Sequence, residues 1–132
     1  MSALREFARP RLWLGLWCFG WLLCIALSML AAPPIPADGP EGDKLGHFLA
    51  YALLAAWAAW ILREPRTQRR AMLSLCLLGV VIEVAQGTLT AHRMMEWQDA
   101  LADFAGVLSG WWLALRWPHL LQSLDGRLFA RG

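Results

Sequence analysis

The sequence predicts an all-α membrane protein: one domain, four transmembrane helices, and both termini cytoplasmic. Three observations predict it. The 132 residues are 58% hydrophobic and 17% charged, against about 45–50% and about 25% in a soluble domain. The charges are gathered into blocks that leave four long apolar runs. Nine tryptophans accompany a single tyrosine, and indole rings favour the membrane–water boundary. Three cysteines are an odd number, which speaks against a disulfide framework. A net charge of +2 is too small to suggest a nucleic-acid partner, and none is expected.

The first run, Leu12 to Ala31, has 20 residues and no charge. Arg5, Arg9 and Arg11 before it resemble the basic start of a signal peptide. The run exceeds the usual apolar length of about 7–15 residues, and Leu30, two before Ala32, is poorly suited to cleavage. A retained helix is expected. Ala32 to Gly42 holds Pro33, Pro34, Pro36 and Pro40 and predicts an extended outer loop. The second run, Leu45 to Leu62, has 18 residues with only His47 titratable near neutral pH. The third, Ala71 to Thr90, has 20 with only Glu83, and the fourth, Ala100 to Trp117, has 18 with Asp103 and Arg116. Each is long enough to cross a bilayer, which takes about 17–25 residues. None shows the polar stripe of a soluble helix. After Pro118, Leu120, Leu121, Leu124 and Leu128 recur at helical spacing, predicting a short helix on the inner surface.

Orientation follows from the basic residues. Ten of the 12 lie in the N-terminal segment, the second connection (Arg63, Arg66, Arg69, Arg70) and the C-terminal segment. Lys44 and Arg93 stand on the other side among seven acids. Trp13, Trp60 and Trp117 then fall at the inner boundary and Trp97 at the outer one.

Ionisable residues inside a span are costly and are functional candidates by default. At about 100° per residue, Asp43, Lys44, His47 and Tyr51 share a face of the second helix. Glu83 shares one with Gly79, Gln86 and Gly87, and Asp99 and Asp103 align with Gly106 and Gly110. All lie toward the outer side, with His92, Arg93 and Glu96 in the loop between the last two helices. Each also has a structural account. Asp43 and Asp99 can be helix N-caps, Lys44 can snorkel, and Tyr51 and Gln86 can bond between helices. Gly106 and Gly110 are packing residues of a Gly-x-x-x-Gly face extended by Ala102. The shared depth favours one outward-facing pocket made by Asp43, Lys44, His47, Tyr51, Glu83, Gln86, Arg93, Asp99 and Asp103. His47, His92, Glu83 and Asp103 follow no recognised metal-binding spacing, so no metal and no cofactor are expected.

Asp43-Lys44-x-x-His47-Phe48-x-x-Tyr51 resembles the first signature of the VanZ-like family of small bacterial membrane proteins, named for a teicoplanin-resistance accessory protein. Glu83-x-x-Gln86, Arg93 and Asp99-x-x-x-Asp103-x-x-Gly106-x-x-x-Gly110 resemble the second. The resemblance covers about residues 43–110. The family pattern usually has asparagine at the place of Asp103. Membership implies the bacterial cytoplasmic membrane, a role in the cell envelope and a link to antibiotic resistance.

Two classes of function follow. The pocket can bind or transport a membrane lipid, an envelope precursor or an amphiphilic antibiotic such as a glycopeptide, transport requiring a homo-oligomer because four helices are few for a path. Alternatively His47 with Asp43 or Glu83 can perform acid–base chemistry on a lipid-linked head group. No nucleophile elbow, zinc-protease motif or phosphate-binding glycine loop supports the enzyme. A structural membrane subunit is the third reading.

Overall fold

The computed structural model describes residues 3–29, 40–89 and 96–129, with the backbone alone for residues 40–43. It consists of helices α1 (Pro10–Ser28), α2 (Pro40–Ile61), α3 (Pro65–Leu89), α4 (Trp97–Arg116) and α5 (Leu120–Phe129). The described residues contain no strand, only an isolated bridge between Leu4 and Leu62. Proline begins α1, α2 and α3; its fixed φ suits the first helical position and its missing N–H costs nothing there. The helices start before their apolar runs. Hydropathy marks the lipid-facing part, whereas the helix continues through polar flanks such as Arg66, Arg69 and Arg70. Most of the proline-rich outer loop lies outside the described residues.

Among the described residues three helices are long and apolar enough to cross a membrane: α1, the Lys44–Ile61 part of α2, and α3. α4 has 20 residues and carries Asp99, Asp103 and Arg116, and it is not among the three.

α2 is the central helix. Its small residues Ala55, Ala56, Ala58 and Ala59 are buried, and small faces allow helices to approach closely. α4 packs along it. A Cβ built on Gly110 would strike the carbonyl oxygen of Ala52, and one on Gly106 the carbonyl oxygen of Phe48. The two backbones therefore meet where only glycine fits. Large apolar side chains cover the outside of the bundle, among them Leu22, Leu53, Leu77, Leu101 and Leu115. Such a surface suits lipid rather than water.

The N-terminal segment, the α2–α3 connection and the start of α5 meet at one end, the arginine-rich end. The Arg5 N–H donates to the Ile61 carbonyl at 2.9 Å, and the Arg63 N–H to that of Ala3 at 3.0 Å. The Arg5 guanidinium donates to the carbonyls of Leu62 and Pro118. Gln68 is buried and its amide donates to the carbonyls of Ala59 and Leu62.

One expectation is corrected here. Trp13 and Trp60 are not boundary residues facing lipid: they are buried. Trp13 Nε1–H donates to Asp125 Oδ1 at 2.7 Å, and Trp60 Nε1–H donates to the Trp117 carbonyl at 2.9 Å. Their polar edges serve internal partners instead of the lipid interface. α5 forms where the leucine spacing predicts a helix. Leu121 and Asp125 face the bundle, while Leu120, Leu124 and Leu128 are exposed. Cys18, Cys24 and Cys76 are all free thiols.

Candidate functional site

Three helices bring polar side chains together at the end opposite the arginines. On α2, Lys44, His47 and Tyr51 follow at spacings of three and four residues and so share one face. On α4, Asp99 and Asp103 do the same, as do Gly79, Glu83 and Gln86 on α3. Among the described side chains His47, Tyr51, Glu83, Gln86, Asp99 and Asp103 are all buried.

The contacts fix the arrangement. His47 Nδ1 lies 3.0 Å from Asp103 Oδ1, joining α2 to α4. Asp103 has room because α3 presents Gly79 to it: a Cβ there would come within 2.6 Å of Asp103 Oδ2. Lys44 Nζ lies 3.2 Å from Glu96 Oε2 and 3.9 Å from Asp99 Oδ1. Glu83 reaches across from α3, its Oε2 accepting the Glu96 N–H at 3.0 Å. Ligand atoms of His47, Glu83 and Asp99 all lie within 4.8 Å of one another. Lys44 and Glu96 form the rim, their side chains 31% and 42% exposed.

Burial and pairing do not balance. Glu83 is 2% exposed and Asp103 1%. Yet Glu83 Oε1 and Asp103 Oδ2 have no hydrogen-bond partner among the described residues, whereas the Tyr51 hydroxyl meets the Cys24 thiol of α1. A buried polar atom without a partner costs about 1–3 kcal/mol, and more when charged. Proteins normally avoid that cost, so these atoms mark a place kept for something other than stability.

Other residues fall differently. Gln86 is buried against α1, its Nε2 donating to the Ser28 carbonyl at 2.8 Å. Asp99 is not an N-cap. Glu96 stands at the cap position of α4, and Asp99 lies inside the first turn, where a carboxylate suits the positive end of the helix dipole. Asp43 is no cap either, because α2 begins at Pro40; its side chain, like Arg93 and His92, lies outside the described residues. Gly106 and Gly110 sit against the α2 backbone and take no part in the polar cluster. Glu96, a loop residue by sequence, turns out to be the partner of Lys44 and, through its N–H, of Glu83. Its place directly before the α4 pattern was the available signal.

Chemically, the arrangement offers an imidazole held by a carboxylate, further carboxylates beside it, and one ammonium at the rim. It can bind a charged group or move a proton. The sequence model of the family described as VanZ/LLP1 matches residues 12–121. No curated protein and no solved structure matches the chain.

Proposed function

The chain belongs to the VanZ/LLP1 family, and from that premise we propose that it is a four-span protein of the bacterial cytoplasmic membrane that binds the head group of an amphiphile at its outer end. The single observation that carries this reading is the buried cluster of His47, Glu83, Asp99 and Asp103, with Lys44 at its rim, at one end of a bundle with many large apolar side chains on its outer surface. Charged groups within a membrane mark a ligand or ion pathway. α4 serves as the fourth span. Its length of 20 residues gives about 30 Å at 1.5 Å per residue, and Leu101, Phe104, Leu108, Trp112 and Leu115 are exposed along it. Four crossings return the chain to the side it started from, in keeping with the N-terminal segment meeting α5. The arginine-rich end is then cytoplasmic, and the polar cluster lies toward the outer leaflet.

A zwitterionic head group suits this set. Its amine faces Glu83, Asp99 and Asp103, and its anionic part faces Lys44. A membrane lipid, an envelope precursor and an amphiphilic antibiotic all present such chemistry. Transport, as opposed to binding, requires a homo-oligomer. Native mass spectrometry of the detergent-purified chain tests the reading. A retained amphiphile is expected, lost in Glu83→Gln and His47→Ala, with the stoichiometry read in the same spectrum. No retained amphiphile, or equal retention by the variants, contradicts it.

The bond between His47 and Asp103 favours a second reading, acid–base chemistry on a lipid-linked head group, since a carboxylate fixes an imidazole for proton transfer. A cleaved head group in place of an intact one distinguishes the two.

A further inference from the structure

The geometry points to a divalent transition-metal site formed by His47 of α2, Glu83 of α3 and Asp99 of α4. Their ligand atoms lie within 4.8 Å of one another, and all three residues are buried. An ion bound at about 2.0–2.2 Å to nitrogen and carboxylate oxygen spans that distance with small side-chain movements.

Two further observations point to an ion. The first is the unpartnered oxygen. Glu83 is 2% exposed, and its Oε1 has no hydrogen-bond partner among the described residues although Oε2 accepts the Glu96 N–H. A metal supplies what a buried carboxylate oxygen without a donor lacks. The second is the support of His47. Its Nδ1 bonds to Asp103 Oδ1 at 3.0 Å, so an ion would be taken by Nε2 in exchange for whatever contact that nitrogen makes without one. Metal-binding histidines almost always have the other ring nitrogen held in this way by a carboxylate or carbonyl. Asp103 is thus a positioning residue, and Gly79 makes room for it. A carboxylate serves this role better than an amide, because it pulls on the imidazole N–H and raises the basicity of the ligating nitrogen.

The donor set selects the class of metal. One imidazole and two carboxylates suit Mn²⁺ through Zn²⁺. Sites for Mg²⁺ and Ca²⁺ are built from oxygen alone, and Cu(I) prefers thiolate and thioether. Lys44 Nζ, already 3.2 Å from the rim carboxylate of Glu96 and 3.9 Å from Asp99 Oδ1, keeps the first partner and yields the second when the ion binds. Three protein ligands leave coordination positions open. An open position facing the outer leaflet would take the phosphate or carboxylate of a head group; that extension rests on the head-group reading above, whereas ion binding does not.

The test uses the full chain in lipid-free detergent, stripped with a chelator and then titrated with Zn²⁺ or Mn²⁺ by calorimetry. One ion per chain is expected. His47→Ala, Glu83→Gln and Asp99→Asn should each weaken binding at least about tenfold, and Asp103→Asn by about 10–100-fold. Glu64→Gln, at the opposite end, should bind as the original does. Circular dichroism and gel filtration establish that each variant is folded. Should a ligand variant not fold, the electron spin-echo spectrum of Mn²⁺ on a chain carrying His92→Gln and His119→Gln should still show a histidine nitrogen coupling. Absence of stoichiometric binding, absence of that coupling, unchanged affinity in the folded ligand variants, or Mg²⁺ binding as tight as Mn²⁺ overturns the site. Metal binding without any retained amphiphile contradicts only the head-group reading; a retained amphiphile without metal binding contradicts only the metal site.

Discussion

The two ends of the bundle treat buried carboxylates in opposite ways. At the arginine-rich end, Asp125 is 3% exposed and both its oxygens are used: Oδ1 accepts the Trp13 indole N–H and Oδ2 the Ala8 backbone N–H. Gln68 nearby donates to two carbonyls. At the other end, Glu83 and Asp103 are as deeply buried, yet each has one oxygen without a donor among the described residues. The first end is built as a strut that ties the N-terminal segment and α5 to the bundle. The second accumulates acceptors beyond those that donors among the described residues serve. Burial of a charge alone therefore does not distinguish structure from function; the surplus of acceptors does.

The comparison breaks first at the seam that carries both ends. Gly110→Ala should prevent stable assembly of α2 and α4, since the new methyl would overlap the Ala52 carbonyl. Overpacking commonly costs about 1–3 kcal/mol, and backbone cannot move aside as a side chain can. Ser109→Ala should be nearly neutral. Expression level and gel-filtration profile read both variants, and equal behaviour would mean that the seam tolerates bulk.

At the arginine-rich end, Asp125→Ala leaves the buried Trp13 indole N–H without an acceptor and frees the more exposed Ala8 N–H. A loss of roughly 1–3 kcal/mol is expected, mainly from the indole, seen as a lowered thermal midpoint with no specific loss of ligand. Gln68→Leu should cost less, about 1–2 kcal/mol, because two carbonyls lose a neutral donor. If either variant lost ligand binding while keeping its stability, the division between the ends would be wrong.

At the polar-cluster end the smallest effect is expected of Tyr51→Phe. Its hydroxyl is fully buried and its partner is the Cys24 thiol, a weak donor and acceptor, so its removal should change a thermal melt little. A loss above about 1 kcal/mol, the usual contribution of a made hydrogen bond, would show that the hydroxyl has a stronger partner.

These contrasts were unequally visible in the sequence. The all-helical character, the apolar runs and the polar faces of α2, α3 and α4 were legible, because helical periodicity places residues three and four apart on one face. The strut was not. Trp13 and Asp125 are separated by 112 positions, and no local pattern links an indole in the first helix to an aspartate in the last. Asp125 looked like an ordinary acid in a basic tail. The metal-ligand grouping was hidden for a similar reason. His47, Glu83 and Asp99 each come from a different helix, so no short motif contains them. The role of Gly79 follows only from its approach to Asp103.

The most direct test is the thermal midpoint of Glu83→Gln against the original chain, in lipid-free detergent containing a chelator. Glutamine can keep the acceptor for the Glu96 N–H and replaces the unpartnered oxygen with an amide donor facing Asp99 and Asp103. A carboxylate retained for a ligand should therefore be replaced without loss, and the midpoint should stay the same or rise. A fall comparable to that of Asp125→Ala would show that Glu83 is a strut like Asp125, and would contradict the distinction between the two ends.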